Sequence, residues 1–224
     1  MWSARVTAFC LLLGVAGSSG SAAALTLQSD ARMVSVLSLQ CFLPPPPNPP
    51  QCQPIPGSQN PPSSFAPFNG SVSADAGTTA TQNSQVGTSS MTGSGTAVLG
   101  GTAFSTNSVS RFSIGFLADA AASYSFTGQL SGSSSSGAGT TTTTAQLIDV
   151  TAGNTTVFQT GAAGQFSSTG ALVAGHQYTV FVSASVTENA NNSYPSTGSY
   201  SFTFAATPTA VPAPLFPYEP PPER

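Results

Sequence analysis

Lysine is absent from this 224-residue chain, and four arginines and seven acidic residues supply all of its charge, about 5% of the sequence. Soluble domains typically carry about 25% charged residues. Phosphate backbones are held by clustered basic side chains, so nucleic-acid binding driven by counterion release is excluded. Coiled coils and long charged helices are excluded as well, because they need about half of their residues to be Ala, Glu, Lys, Leu and Arg at helical period. Histidine occurs once, at His176, and tryptophan once, at Trp2. No stretch approaches the roughly twenty apolar residues of a membrane helix. Ser, Thr, Gly and Asn keep the chain soluble in place of charge.

The N-terminus carries the marks of export. Arg5 supplies a positive n-region, Val6 to Ala16 form a short apolar run, and Ala22-Ala23-Ala24 offers the small side chains that signal peptidase admits. Cleavage is expected after Ala24, which defines residues 1–24 as a signal peptide and Leu25 as the mature start. Cys10 leaves with the signal, and Cys41 and Cys52 remain. An even count in an exported chain predicts one disulfide between them, closing a loop that already holds six prolines. The alternative is two free thiols in a linker.

Proline marks the boundaries. Of 19 prolines, 11 lie between Pro44 and Pro67 and seven between Pro208 and Pro222, and only Pro195 interrupts the stretch between. This predicts a Pro-rich segment over 25–67 with a disulfide loop, a folded body over 68–207, and a Pro-rich tail over 208–224. Leu37, Leu39, Cys41 and Leu43 alternate with polar or smaller residues and allow one short strand before the first proline run. Within the body the apolar period is near two, and β-branched and aromatic residues carry it. Strands are predicted over 70–75, 96–99, 109–117, 123–130, 143–150, 156–159, 176–186 and 198–204. Tyr200, Phe202 and Phe204 share one face, as do Tyr178, Val180, Val182 and Ala184. Short strands separated by Gly, Ser and Asn clusters, with no helical pattern between them, predict an all-β antiparallel sandwich of jelly-roll type.

Little chemistry is on offer. The body holds Asp75, Asp119, Asp149, Glu188, Arg111 and His176. A glycosidase needs two facing carboxylates, and no spacing pairs these. Asp119 and Asp149 read as turn positions. His176, directly after Gly175, reads as an exposed loop histidine, and no Gly-x-Ser-x-Gly elbow accompanies it. No further Cys or His completes a tetrahedral zinc set. Calcium is the one metal that suits isolated carboxylates and amide carbonyls, but Asp-x-Asp-x-Asp spacing is missing. No catalytic residue, metal or cofactor is therefore assigned. Ser131 to Gly139, Ser and Gly apart from Ala138, followed by the five threonines Thr140 to Thr144, reads as a flexible loop running into a β-prone strand start. A flat hydroxyl array for ice or a polysaccharide would need the same spacing on several strands, and no second Thr run exists. Tyr124, Tyr178 and Tyr200 read as core, while Tyr194 remains as a candidate stacking residue for sugars.

Phe112-Ser113-Ile114-Gly115-Phe116, Tyr124-Ser125-Phe126-Thr127-Gly128, Gln146-Leu147-Ile148-Asp149, Gly170-Ala171-Leu172-Val173-Ala174-Gly175-His176-Gln177-Tyr178 and Tyr200-Ser201-Phe202-Thr203-Phe204 together resemble the β-rich body of bacterial exported proteins that carry a C-terminal Pro-Glu-Pro sorting signal. That resemblance covers 111–212. It implies export and display at the cell surface or in the matrix through an exosortase. The family continues with Val-Pro-Glu-Pro, an apolar anchor and an Arg cluster, whereas this sequence reads Val211-Pro212-Ala213-Pro214 and ends at Arg224. Simple secretion is the expectation here. The expected function is a non-enzymatic surface, matrix or adhesion component. Its expected partners are extracellular polysaccharide or matrix, with no nucleic acid and no membrane span in the mature chain. A carbohydrate-binding module of a polysaccharide-processing system is the alternative.

Overall fold

The computed structural model describes residues 24–42, 51–61, 63–74, 77–100, 104–134, 139–188 and 195–209. Residues 1–23, which make up all but the last position of the expected signal peptide, and the tail beyond 209 lie outside these. Thirteen strands run in chain order: β1 (Leu25–Asp30), β2 (Met33–Phe42), β3 (Gln51–Gln59), β4 (Phe68–Ser73), β5 (Thr79–Val86), β6 (Ser90–Leu99), β7 (Phe104–Ala118), β8 (Ala122–Ser134), β9 (Gly139–Asp149), β10 (Thr155–Thr160), β11 (Gly164–Leu172), β12 (Gln177–Glu188) and β13 (Ser196–Pro208). No helix occurs among the described residues.

Two antiparallel sheets pack face to face, as expected for an all-β sandwich. One has seven strands in the order β10-β9-β12-β7-β2-β3, with β1 also paired to β7, and the other six in the order β11-β8-β13-β6-β5-β4. Each predicted strand overlaps an observed one. Alternation drives this, because an inward apolar residue every second position buries one face of each sheet. From the seven-stranded sheet Phe112, Ile114, Phe116, Val180 and Leu147 enter the core, and from the other Phe126, Leu130, Phe202, Phe204 and Met91 meet them. Rings bridge the layers: Phe112 lies edge-on to Phe202 at 4.6 Å between centroids, and Phe116 contacts Phe204 at 5.5 Å.

The N-terminal boundary differs from expectation. Residues 25–42 and 51–59 belong to the sandwich rather than to a Pro-rich connector. β1 and β2 follow one another along the same edge of β7, from Leu25 opposite Ala118 to Leu39 opposite Phe104. Leu25 is fully buried in the main core, and Val34 and Val36 form a second core with Phe68 and Ala80. β3 completes that edge although it contains Pro54 and Pro56. Both have the same parity in the strand, opposite Leu39 and Leu37. On an edge strand, alternate backbone nitrogens point away from the partner, so prolines two apart remove no ladder donor.

β5 and β11 were not legible as strands. Their inward faces are too polar or too small, with Gln82 and Ser84 in β5 and Ser168 and Gly170 in β11. Both lie beside stronger strands and are held by the ladder.

Candidate functional site

Two ionic clusters hold charged groups of the described residues. The first is internal. β1 and β2 are separated at Ala31-Arg32, and there the Arg32 side chain turns inward and is fully buried with Asp30. The guanidinium donates to both Asp30 oxygens, through Nε at 2.9 Å and Nη2 at 2.6 Å, and also to the Ala66 carbonyl at 2.7 Å and Ser84 Oγ at 3.1 Å. It stands 5.9 Å from the Phe68 ring centroid. Asp30 also accepts from the Phe65 amide at 2.8 Å, in a turn where Phe65 takes φ of 63°. Burial pushes the Asp30 carboxyl up, but the bonds from Arg32 and Phe65 outweigh it and hold the group below its usual 3.8. Every strong donor here is used within the fold, which makes this a structural clamp joining both sheets.

The second cluster corrects the reading of Asp149 and His176. Asp149 ends β9 buried rather than standing as a solvated turn residue. His176 is anchored to it, with Nδ1 2.8 Å from Asp149 Oδ2 and about a third of the side chain exposed. The other oxygen, Oδ1, accepts from the Ala152 amide at 3.0 Å and caps the β9–β10 turn. Burial acts to raise the Asp149 carboxyl, yet its bonds to His176 and Ala152 hold it below 3.8. Burial, joined by the nearby Asp149 charge, pushes the Tyr178 hydroxyl up; that hydroxyl accepts from the Val173 amide at 2.9 Å. Gly175 takes φ of 78° to make the turn that delivers His176. An imidazole paired to a carboxylate is half of a hydrolase triad. Among the described residues, however, no serine or threonine hydroxyl is hydrogen-bonded to it, and the nearby Thr151 Oγ1 is taken by the Gln177 amide at 2.8 Å. The pair joins the β9–β10 turn to the β11–β12 turn.

The remaining carboxylates do not converge. Asp119 stays exposed in a turn, accepting from Thr26 Oγ1 at 2.9 Å. Asp75 and the Glu188 side chain lie outside the described residues. Arg111 Nη2 contacts Met33 Sδ at 2.8 Å. Tyr124, Tyr178 and Tyr200 are core residues, as expected, and Tyr194 is outside the described residues. Among those described, no group of three or more His, Cys, Asp or Glu is placed to hold a metal ion, and no helix is long and apolar enough to cross a membrane. Cys41 and Cys52 stand directly opposite each other on β2 and β3. Cys52 shares the parity of Pro54 and Pro56, which makes it a non-hydrogen-bonded pair, the type in which Cα atoms approach to about 4.5 Å. A disulfide requires roughly 4.4–6.8 Å between Cα atoms.

The outer face of the six-stranded sheet is a regular polar surface. Its central row crosses all six strands as Gln165, Gln129, Ser201, Ser94, Asn83 and Asn69. One row along lie Ser167, Thr127, Thr203, Thr92 and Gln85. On the other side are Ser131, Ser199, Thr96, Thr81 and Ser71. No charged residue and no aromatic occupies a paired outward position on this face, and only Val98, Ala171 and Ala205 there are apolar. Strand geometry sets side chains about 4.8 Å apart across the sheet and about 6.8 Å apart along it. Some hydroxyls pair across strands, Thr81 with Thr96 at 2.6 Å and Ser131 with Ser199 at 2.8 Å. At the centre the face opens into a groove of about 400 Å³ lined by Asn69, Asn83, Ser94, Gln129 and Ser201 among others. The inner side of β6 is also open to neighbouring rings. Gly93 and Gly95 lie under the inward rings of Phe202 and Tyr200, where an added Cβ would come within 2.7 and 2.6 Å of ring carbons.

A hydroxyl array needs its spacing repeated on several strands, and here that repetition does not depend on a second Thr run. The repetition comes from six separate strands, and the Thr run itself lies on β9 in the other sheet, with Thr143 buried. In single strands the signal was only the polar half of each alternation. Comparison with protein-family models, curated proteins and solved structures finds no match to this chain.

Proposed function

We propose that this protein is an exported, non-enzymatic β-sandwich that acts at the cell surface or in the extracellular matrix, by contact rather than by chemistry. One observation carries the reading: the outer face of the six-stranded sheet is an uncharged field of hydroxyls and amides at its paired positions, while the two ionic clusters serve as clamps between turns and strands. The Arg5, apolar and Ala22–Ala24 pattern supports export. A carbohydrate-binding module of a polysaccharide-processing system is a second reading, favoured by the amide-lined groove.

Genetic complementation tests the first reading. Loss of the gene should weaken adhesion or matrix cohesion, and Asp149→Asn protein should restore it as fully as the original. Failure of a folded, normally abundant Asp149→Asn protein to restore the phenotype would assign a chemical role to the His176 pair and overturn the reading.

A further inference from the structure

We infer that the outer face of the six-stranded sheet is a binding surface for an uncharged, extended polysaccharide, seated across the strands in the central groove; this rests on the contact function proposed above. The ligand class follows by elimination and by complementarity. With no charged residue in the paired outward positions of the face, an anionic or cationic polymer would find no counter-charge, and burying its charges unpaired is costly. Protein interfaces are built on aromatic, Met and Arg anchors, which those positions also lack. A neutral sugar offers hydroxyls that both donate and accept. Ser and Thr hydroxyls do the same, and the Asn and Gln amides add two donors and an acceptor each.

The groove selects a polymer over a crystal face. Asn69, Asn83 and Gln129 project longer amides around a floor formed at Ser94 and Ser201, so the surface is concave and chemically mixed rather than a flat lattice of one side chain. Antiparallel pairing fixes each position, so little order has to be created on binding. Without an aromatic platform each sugar contributes little, and retention comes from many weak contacts along one chain.

Affinity electrophoresis of the full-length protein through native gels containing hydroxyethylcellulose, galactomannan or alginate tests this. At least one of the two neutral polymers should retard the protein, alginate should not, and raising salt to about 0.5 M should leave retardation unchanged, because no ion pairs are there to screen. Ser201→Arg at the exposed centre of the groove should weaken retardation roughly tenfold, the equivalent of about 1.4 kcal/mol. Thr142→Arg, exposed on the other sheet, should leave it unchanged; circular dichroism establishes that both variants fold. The inference is overturned by lack of retardation in both neutral gels, by retardation confined to alginate or abolished by salt, or by equal loss in Thr142→Arg. Thermal hysteresis in the absence of neutral-polymer binding would assign the face to ice, and concentration-dependent dimerisation abolished by Ser201→Arg would assign it to a second copy; either result overturns it. A protein that binds neutral polymer in the gel yet stays inside the cell would defeat the proposed function and leave the binding face standing. An external protein that does not bind would do the reverse.

Discussion

Replacing Arg32 by Met should be among the most damaging single changes in this protein. The side chain is fully buried, its guanidinium makes four hydrogen bonds to Asp30, Ala66 and Ser84, and it packs on Phe68. Met keeps much of the volume but leaves the Asp30 carboxylate without its main partner inside the sandwich. Breaking a buried pair from one side typically costs about 3–5 kcal/mol. In a domain of this size each kcal/mol shifts the melting temperature by about 2–4 °C, so a fall of roughly 6–20 °C is expected. Asp30→Asn should cost less, because the amide still accepts from the Phe65 N–H. A double variant, Asp30→Leu with Arg32→Met, should lose far less than the sum of its singles, since no charge then remains unpaired. Urea unfolding of the original protein, Asp30→Leu, Arg32→Met and the double variant closes the cycle. Additive losses, or a single-variant loss under about 1 kcal/mol, would show that the pair is not held as described. The same bonds set an acid limit. Asp30 and Asp149 are both held below 3.8 when folded, so their contribution is complete above the unfolded value. It is lost as pH falls from about 4 through the folded values, with no change expected from these groups between pH 5 and 8.

Non-reducing peptide mapping of exported protein should recover Cys41 linked to Cys52; the closed loop would contribute about 3 kcal/mol at most, less for its prolines, and full alkylation of both thiols without reductant would contradict the pairing. Gly95→Ala should destabilise by roughly 1–3 kcal/mol, because its Cβ meets the Tyr200 ring and Ser110; an unchanged melting temperature would refute the close packing of that ring on β6. A fragment restricted to 68–207 should fail to fold stably, since it forfeits Leu25, Val34 and Val36 from the two cores. At about 1.5–3 kcal/mol for each buried side chain, that loss rivals the 5–15 kcal/mol of a typical domain. A cooperative, sheet-rich fragment would restore the narrower domain boundary.

The core of the sandwich was legible because alternation is a local property. Tyr200, Phe202 and Phe204 announce an inward face within five residues, and so do Tyr178, Val180 and Val182. β1 and β3 were hidden for opposite reasons. Leu25 and Leu27 abut the signal-peptide pattern, and Pro54 and Pro56 argue against a strand unless it lies at an edge. His176 and Asp149 are 27 residues apart, and only the β9–β12 register, with Tyr178 opposite Asp149, brings their neighbourhoods together. The polar face was invisible for the same reason. Ser201, Ser94 and Gln129 are unremarkable in sequence and become a row only when three strands align them.

Whether this sandwich works outside the cell is decided by locating the native protein and sequencing its N-terminus. Recovery from the medium, surface or matrix with Leu25 as the first residue is expected. Recovery from the cytosol with Met1 and Trp2 still attached would contradict it.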